Sequence, residues 1–166
     1  MEESKEIEVL KKAFLLEKQG RAFYQRVSKD SESQAVSSLF AIMADEEDKH
    51  IEVLSKQFAN FSAKGEFLAQ EPEGDDQTIV REILSSEIRE QISAAGYEAA
   101  AISAAIEMEN RAVSVYSARA EASEDAREQK LYSWLARWET GHLKFLAEIN
   151  DALLEEVWHE SSFWPF

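Results

Sequence analysis

The fold is decided by two heptapeptides, ADEEDKH at residues 44–50 and ARWETGH at residues 136–142. Each contains a Glu followed three residues later by a His, namely Glu47 with His50 and Glu139 with His142. Positions three apart share one face of an α-helix, so each Glu and its His should point the same way. The other residues on these two faces are mostly apolar. Both pairs are therefore predicted to face a core and not solvent.

The heptapeptides belong to a longer internal duplication. Residues 10–58 align with residues 102–150 at a constant offset of 92 and without gaps. The identical pairs are Ala13/Ala105, Glu17/Glu109, Tyr24/Tyr116, Ser31/Ser123, Glu32/Glu124, Leu39/Leu131, Ala44/Ala136, Glu47/Glu139, His50/His142 and Leu54/Leu146. The repeat predicts two helical hairpins of the same design.

A second Glu in each hairpin is placed to face the first. Glu17 precedes Glu47 by 30 residues, and Glu109 precedes Glu139 by 30. The midpoint of each interval falls in a predicted turn, at residue 32 or residue 124. Both Glu of a hairpin should therefore lie at one height along the bundle.

A buried set of four carboxylates requires positive charge, because burying each one alone costs several kcal/mol. Two divalent cations would cancel the four charges, and Glu with neutral His suits iron, manganese or zinc. The predicted metal ligands are Glu17, Glu47, His50, Glu109, Glu139 and His142. One Glu from each of two helices with Glu-x-x-His from each of two others is a described pattern of two-metal bundles.

Apolar periodicity predicts four long helices, at about residues 4–29, 33–61, 96–121 and 125–159. Gly65 and Pro72 interrupt the pattern and begin a crossover over residues 62–95, with a short helix at about 78–92. The predicted fold is all-α: a four-helix bundle of two duplicated hairpins, with a C-terminal extension of the last helix. Residues 1–166 would form a single domain.

Composition limits the classes of partner and cofactor. Asp and Glu number 33 against 18 Lys and Arg, a formal charge of -15, so neither nucleic acid nor an anionic membrane surface is expected as a partner. No Cys is present, which excludes disulfides and thiolate-held metals. No signal-like or membrane-spanning apolar run occurs, and a cytoplasmic protein is expected.

At these residues the chain resembles the rubrerythrin branch of the ferritin-like superfamily, over about residues 7–150. The resemblance implies a ferritin-like bundle in which Glu47 and Glu139 bridge two metal ions. It implies terminal ligation by Glu17 and Glu109, and one His for each metal. It also implies that Tyr24 and Tyr116 orient the carboxylates through hydrogen bonds.

Two departures from the family pattern follow from single positions and from composition. Without Cys, the chain is not expected to carry the rubredoxin domain of rubrerythrins proper. Position 112, where the family has a further Glu, is Ala112, so the resemblance does not carry over the ligand switch attributed to that Glu.

The implied function is a di-iron oxidoreductase that reduces peroxide or dioxygen, with an external electron donor such as a rubredoxin, in a homodimer. The alternative is a ferroxidase or iron-binding protein that protects against oxidative stress without efficient turnover. A structural bundle holding zinc is a third possibility. The same six residues would serve in all three.

Several further residues resemble ligands or contact residues in spacing or type. Glu156 and His159 repeat the Glu-x-x-His spacing, but residue 126 is Ala where a partner Glu would stand, so His159 is predicted to be a tail residue. An aromatic stripe of Trp134, Trp138 and Phe145 could pack on the crossover or tail, or form a dimer contact. Four acidic residues are predicted to be solvated or to touch a ligand without being ligands: Asp45, Glu46, Asp48 and Glu107.

Overall fold

The computed structural model describes residues 4–69, 86–93 and 96–159. It contains four long helices, α1 (Lys5–Asp30), α2 (Gln34–Lys64), α3 (Tyr97–Ala122) and α4 (Ala126–His159). No strand occurs among these residues, and the prediction of an all-α bundle is confirmed. None of the described helices combines the length and apolarity needed to cross a bilayer.

The helix ends follow from local capping chemistry. The Ser33 hydroxyl caps α2 by accepting the Val36 N–H at 3.2 Å. The Asp125 carboxylate accepts the N–H groups of Arg127 and Glu128, at 2.7 and 3.4 Å, at the start of α4. Gly65 ends α2 in the left-handed conformation, with φ 71°, which a residue without a Cβ adopts at little cost. The helix thus continues to Lys64, beyond the predicted end near residue 61, because the right-handed helical conformation is first interrupted at Gly65.

Part of the predicted crossover helix is visible. Residues 86–91 are helical, whereas residues 70–85, which include the predicted start of this helix near residue 78, lie outside the described residues. Ile88 is fully buried in the core formed with the ends of α1 and α4. The Gln91 side-chain oxygen accepts from the Ser33 hydroxyl and the Ala35 N–H at 2.8 and 3.1 Å. The crossover is therefore fastened to the first turn of α2.

In the described part of the chain, the core consists of two apolar clusters with a polar layer between them. One cluster contains Tyr24, Met43, Ala105 and Phe145, and the other contains Ala13, Leu54, Ala112 and Ala136. On every helix the predicted ligands lie between these boundary positions in sequence. The first hairpin turns at one end of the bundle and the second at the opposite end, so the polar layer lies at mid-height, where all four helices pass.

Candidate metal centre

All six predicted ligands converge in the polar layer. Glu17 comes from α1, Glu47 and His50 from α2, Glu109 from α3, and Glu139 and His142 from α4. All are buried, and none is more than 3% exposed. Glu156 and His159, which share the spacing, are both exposed near the end of α4. The partner Glu 30 residues earlier in the chain, and not the Glu-x-x-His spacing alone, distinguishes the convergent residues.

The six residues form two overlapping groups of donor atoms. Within each group, one donor atom per residue lies within 4.8 Å of all the others. The groups are Glu17, Glu47, His50 and Glu139, and Glu47, Glu109, Glu139 and His142. Glu47 and Glu139 belong to both. The geometry therefore offers two adjacent cation positions with two shared carboxylates.

Both imidazoles turn Nδ1 into the cluster. His50 Nδ1 lies 3.0 Å from Glu17 Oε2 and 2.9 Å from Glu139 Oε1. His142 Nδ1 lies 3.1 Å from Glu139 Oε2 and 3.3 Å from Glu109 Oε1. A neutral imidazole with its proton on Nε2 would present a free lone pair at Nδ1 to a cation.

Nε2 of His142, on the side of the ring away from the cluster, contacts a buried Glu whose burial was not predicted from the sequence. Glu46 is 1% exposed, and its Oε2 lies 2.5 Å from His142 Nε2. Of the two predicted roles for Glu46, contact with a ligand is observed and solvation is not. Asp45, Asp48 and Glu107 are exposed. Helical spacing did not predict the burial of Glu46, because adjacent residues such as Glu46 and Glu47 point in different directions from a helix. The side chain of Glu46 nevertheless reaches His142 of the other hairpin.

The two tyrosines exchange hydrogen bonds between the hairpins. The Tyr24 hydroxyl on α1 donates to Glu109 on α3, and the Tyr116 hydroxyl on α3 donates to Glu17 on α1. Burial, followed by the charge of the neighbouring Glu, raises the pKa of both hydroxyls well above their ordinary value. Each tyrosine therefore keeps its proton and orients a carboxylate of the other hairpin.

Crowding of carboxylates sets the protonation of the metal-free cluster. Burial and the nearby Glu139 raise the pKa of Glu109 to about 7, and burial with Glu139 and Glu17 raises the pKa of Glu47 well above its usual range. Burial opposes charge on His50 and His142, but the surrounding carboxylates outweigh it and raise the pKa of both imidazoles. Burial also opposes charge on Glu139, but the two imidazoles hold its pKa well below the ordinary value. Protons thus occupy the cluster where cations would replace them.

Two members of the aromatic stripe surround His50. The imidazole lies edge to face with Trp134 and Trp138, at centroid distances of 5.4 and 5.5 Å. Phe145 instead belongs to the apolar cluster that contains Ile88 of the crossover. Phe145 and Ile88 thus share one apolar cluster. The two tryptophans contact a predicted ligand, which neither predicted alternative included. A dimer contact through the stripe stays a prediction.

A cavity of about 70 Å³ reaches the cluster between α1 and α3. Its lining includes the carboxylates Glu17, Glu47, Glu109 and Glu139, together with the small residues Gly20 and Ala112. A Cβ placed on Gly20 would lie 3.6 Å from Glu47 Cδ. The absence of side-chain bulk at positions 20 and 112 therefore leaves space beside the shared carboxylates.

Comparison with known proteins identifies one family. The sequence profile of the family described as Rubrerythrin matches residues 8–150. No curated protein and no solved structure matches the chain. The matched range contains all six convergent residues and both tyrosines.

Proposed function

The chain belongs to the rubrerythrin family, and on that premise we propose that it is a di-iron oxidoreductase that reduces peroxide or dioxygen with electrons from an external donor such as a rubredoxin. The observation that carries the proposal is the pair of overlapping donor groups with Glu47 and Glu139 in common. A structural bundle has no need of four buried carboxylates at mid-height, since each is costly without a compensating charge.

The donor set fits two iron ions in charge and in chemistry. Four carboxylates balance two divalent cations, and oxygen with imidazole nitrogen suits iron, manganese and zinc. Glu47 and Glu139 would lie between the ions, with Glu17 and His50 on one and Glu109 and His142 on the other. Iron bound there would supply electrons to the oxidant and recover them from the donor.

The protein's own groups would orient the ligands and admit a small oxidant. Tyr24 and Tyr116 fix the outer carboxylates by hydrogen bonds, and the apolar clusters above and below keep bulk water away. The cavity of about 70 Å³ has the volume of roughly two water molecules. Hydrogen peroxide or dioxygen is small enough to enter it and to reach the shared carboxylates.

Iron handling is the second candidate, in which iron is oxidised as a substrate without efficient reduction of peroxide. A formal charge of -15 favours it, because an acidic protein attracts cations. The same six residues would bind the iron, so only the balance of turnover separates the two functions.

The decisive experiment measures peroxide consumption by protein loaded anaerobically with Fe²⁺ and supplied with chemically reduced rubredoxin. Glu47→Ala, which removes a shared donor, is expected to abolish turnover. Asp45→Asn, an exposed change two residues away, is the matched control and should leave turnover unaltered. Iron oxidation without sustained peroxide turnover would support iron handling instead. Failure of the wild-type protein to bind iron would refute both candidates.

A further inference from the structure

The two halves of the cluster differ at the equivalent positions that contact the two imidazoles. The offset of 92 that relates the hairpins places Trp138 opposite Glu46, and Trp134 opposite Ile42. Glu46 of α2 contacts His142 of α4, and Trp138 of α4 contacts His50 of α2. The two contacts are therefore the same contact in the two hairpins, made by a carboxylate in one and by an indole in the other.

The carboxylate changes what His142 offers to a cation. Coordination through Nδ1 requires the tautomer that carries its proton on Nε2, and an acceptor at Nε2 favours that tautomer. Glu46 supplies the acceptor at 2.5 Å, inside a region where both side chains are 1% exposed. An anionic acceptor also makes the imidazole a stronger donor to the metal.

His50 lacks this support. Its Nε2 is buried and has no hydrogen-bond partner among the described residues, and the ring is enclosed by Trp134 and Trp138. An indole has an N–H donor and no lone pair that accepts a hydrogen bond well. Among the described residues, no acceptor at Nε2 therefore selects the metal-binding tautomer of His50, and no carboxylate there balances the positive charge that coordination induces on the ring.

We propose that Glu46 is a positioning residue that makes the cation position at His142 the tighter of the two, so that it fills first, while Trp138 keeps the position at His50 weaker. This inference rests on the proposed two-metal site. It assigns the asymmetry to the presence of Glu46 in one hairpin and of Trp138 at the equivalent position in the other. The shared Glu47 and Glu139 contribute to both positions and do not distinguish them.

The test is a titration of metal-free protein with Co²⁺ under nitrogen, followed by calorimetry and by visible absorption. Wild-type protein should bind two ions in separate steps. His142→Ala should remove the tighter step and His50→Ala the weaker one. Glu46→Gln keeps the shape and an acceptor oxygen but removes the charge, and is expected to weaken the tighter step by about 10- to 100-fold. Its absorption bands should shift for that ion alone.

Trp138→Glu provides the converse variant, because it introduces a carboxylate behind His50. It should strengthen the weaker step and bring the two affinities together, so the inference remains testable if Glu46→Gln folds poorly. Equal wild-type affinities, or equal weakening of both steps by Glu46→Gln, would overturn the inference but leave the two-metal site intact. Absence of Co²⁺ binding would overturn the site and the inference together.

Discussion

Removal of one hydroxyl should separate an orienting tyrosine from a merely buried one. Tyr116→Phe deletes the donor to Glu17, a carboxylate that is 2% exposed and whose Oε2 otherwise lies near His50 Nδ1. Hydrogen bonds to charged groups contribute about 1.5–3 kcal/mol. The free energy of unfolding of metal-free Tyr116→Phe should fall by that amount, and its metal affinity by about 10- to 100-fold.

Tyr132 provides the matched control for this measurement. Its ring stacks on that of Tyr116 at a centroid distance of 6.0 Å, and both side chains are fully buried. Among the described residues the Tyr132 hydroxyl has no hydrogen-bond partner. Tyr132→Phe should therefore leave the free energy of unfolding unchanged or raise it. Urea unfolding with and without metal compares the variants, and equal losses would refute the assigned role of Tyr116.

Three further predictions concern pH, the cavity and a buried ion pair. The pKa of Glu109 in the folded metal-free protein, about 7, exceeds its ordinary value of 4.5. Between these two pH values the folded protein holds a proton on Glu109 that the unfolded chain has lost. The free energy of unfolding in urea should therefore fall as the pH rises from 4.5 to 7. The raised pKa of His50 should likewise make the free energy of unfolding fall as the pH rises above 6.5, the ordinary value of His. A free energy of unfolding that rises from pH 5 to 8 would contradict both pKa shifts. Gly20→Leu should fill the cavity and slow the oxidation of bound iron by peroxide, as followed by stopped-flow absorption. Gly20→Ala is the control and should retain metal, because its Cβ would make ordinary contact with a neighbouring carboxylate. Equal oxidation rates in Gly20→Leu and the wild-type protein would exclude this cavity as the entrance. Arg119→Ala leaves buried Glu128 without its ion-pair partner at 2.5 Å and should lower the free energy of unfolding in urea by about 3–5 kcal/mol. The double variant Arg119→Met with Glu128→Leu should largely avoid this loss, because it removes both charges. An equal loss in the double variant would show that the unpaired charge is not the cause.

The sequence was sufficient for the features that repeat. Glu17 and Glu47 could be paired because the interval between them is centred on a turn. Convergence of the two hairpins followed from the requirement that buried carboxylates share cations. The all-α bundle and the family were predictable for these reasons.

Contacts between hairpins were less predictable. Helical periodicity defines a face only to within a fraction of a turn, so it did not indicate that Glu46 would turn inward beside Glu47. The direction of the tyrosine hydrogen bonds, from each hairpin to the other, depends on how the hairpins pack. The same holds for Trp134 and Trp138, whose spacing indicated an aromatic stripe but not its contact with His50.

The division of donors between hairpins links loading with assembly. Each donor group takes three residues from one hairpin and one from the other, Glu139 in the first group and Glu47 in the second. At the proposed two-metal site neither half of the chain would complete a coordination set alone, so ion occupancy and docking of the two halves would be coupled equilibria. Removal of the ions by a chelator should thus weaken the packing between the two hairpins before either hairpin unfolds, because each ion would be bound by residues of both hairpins.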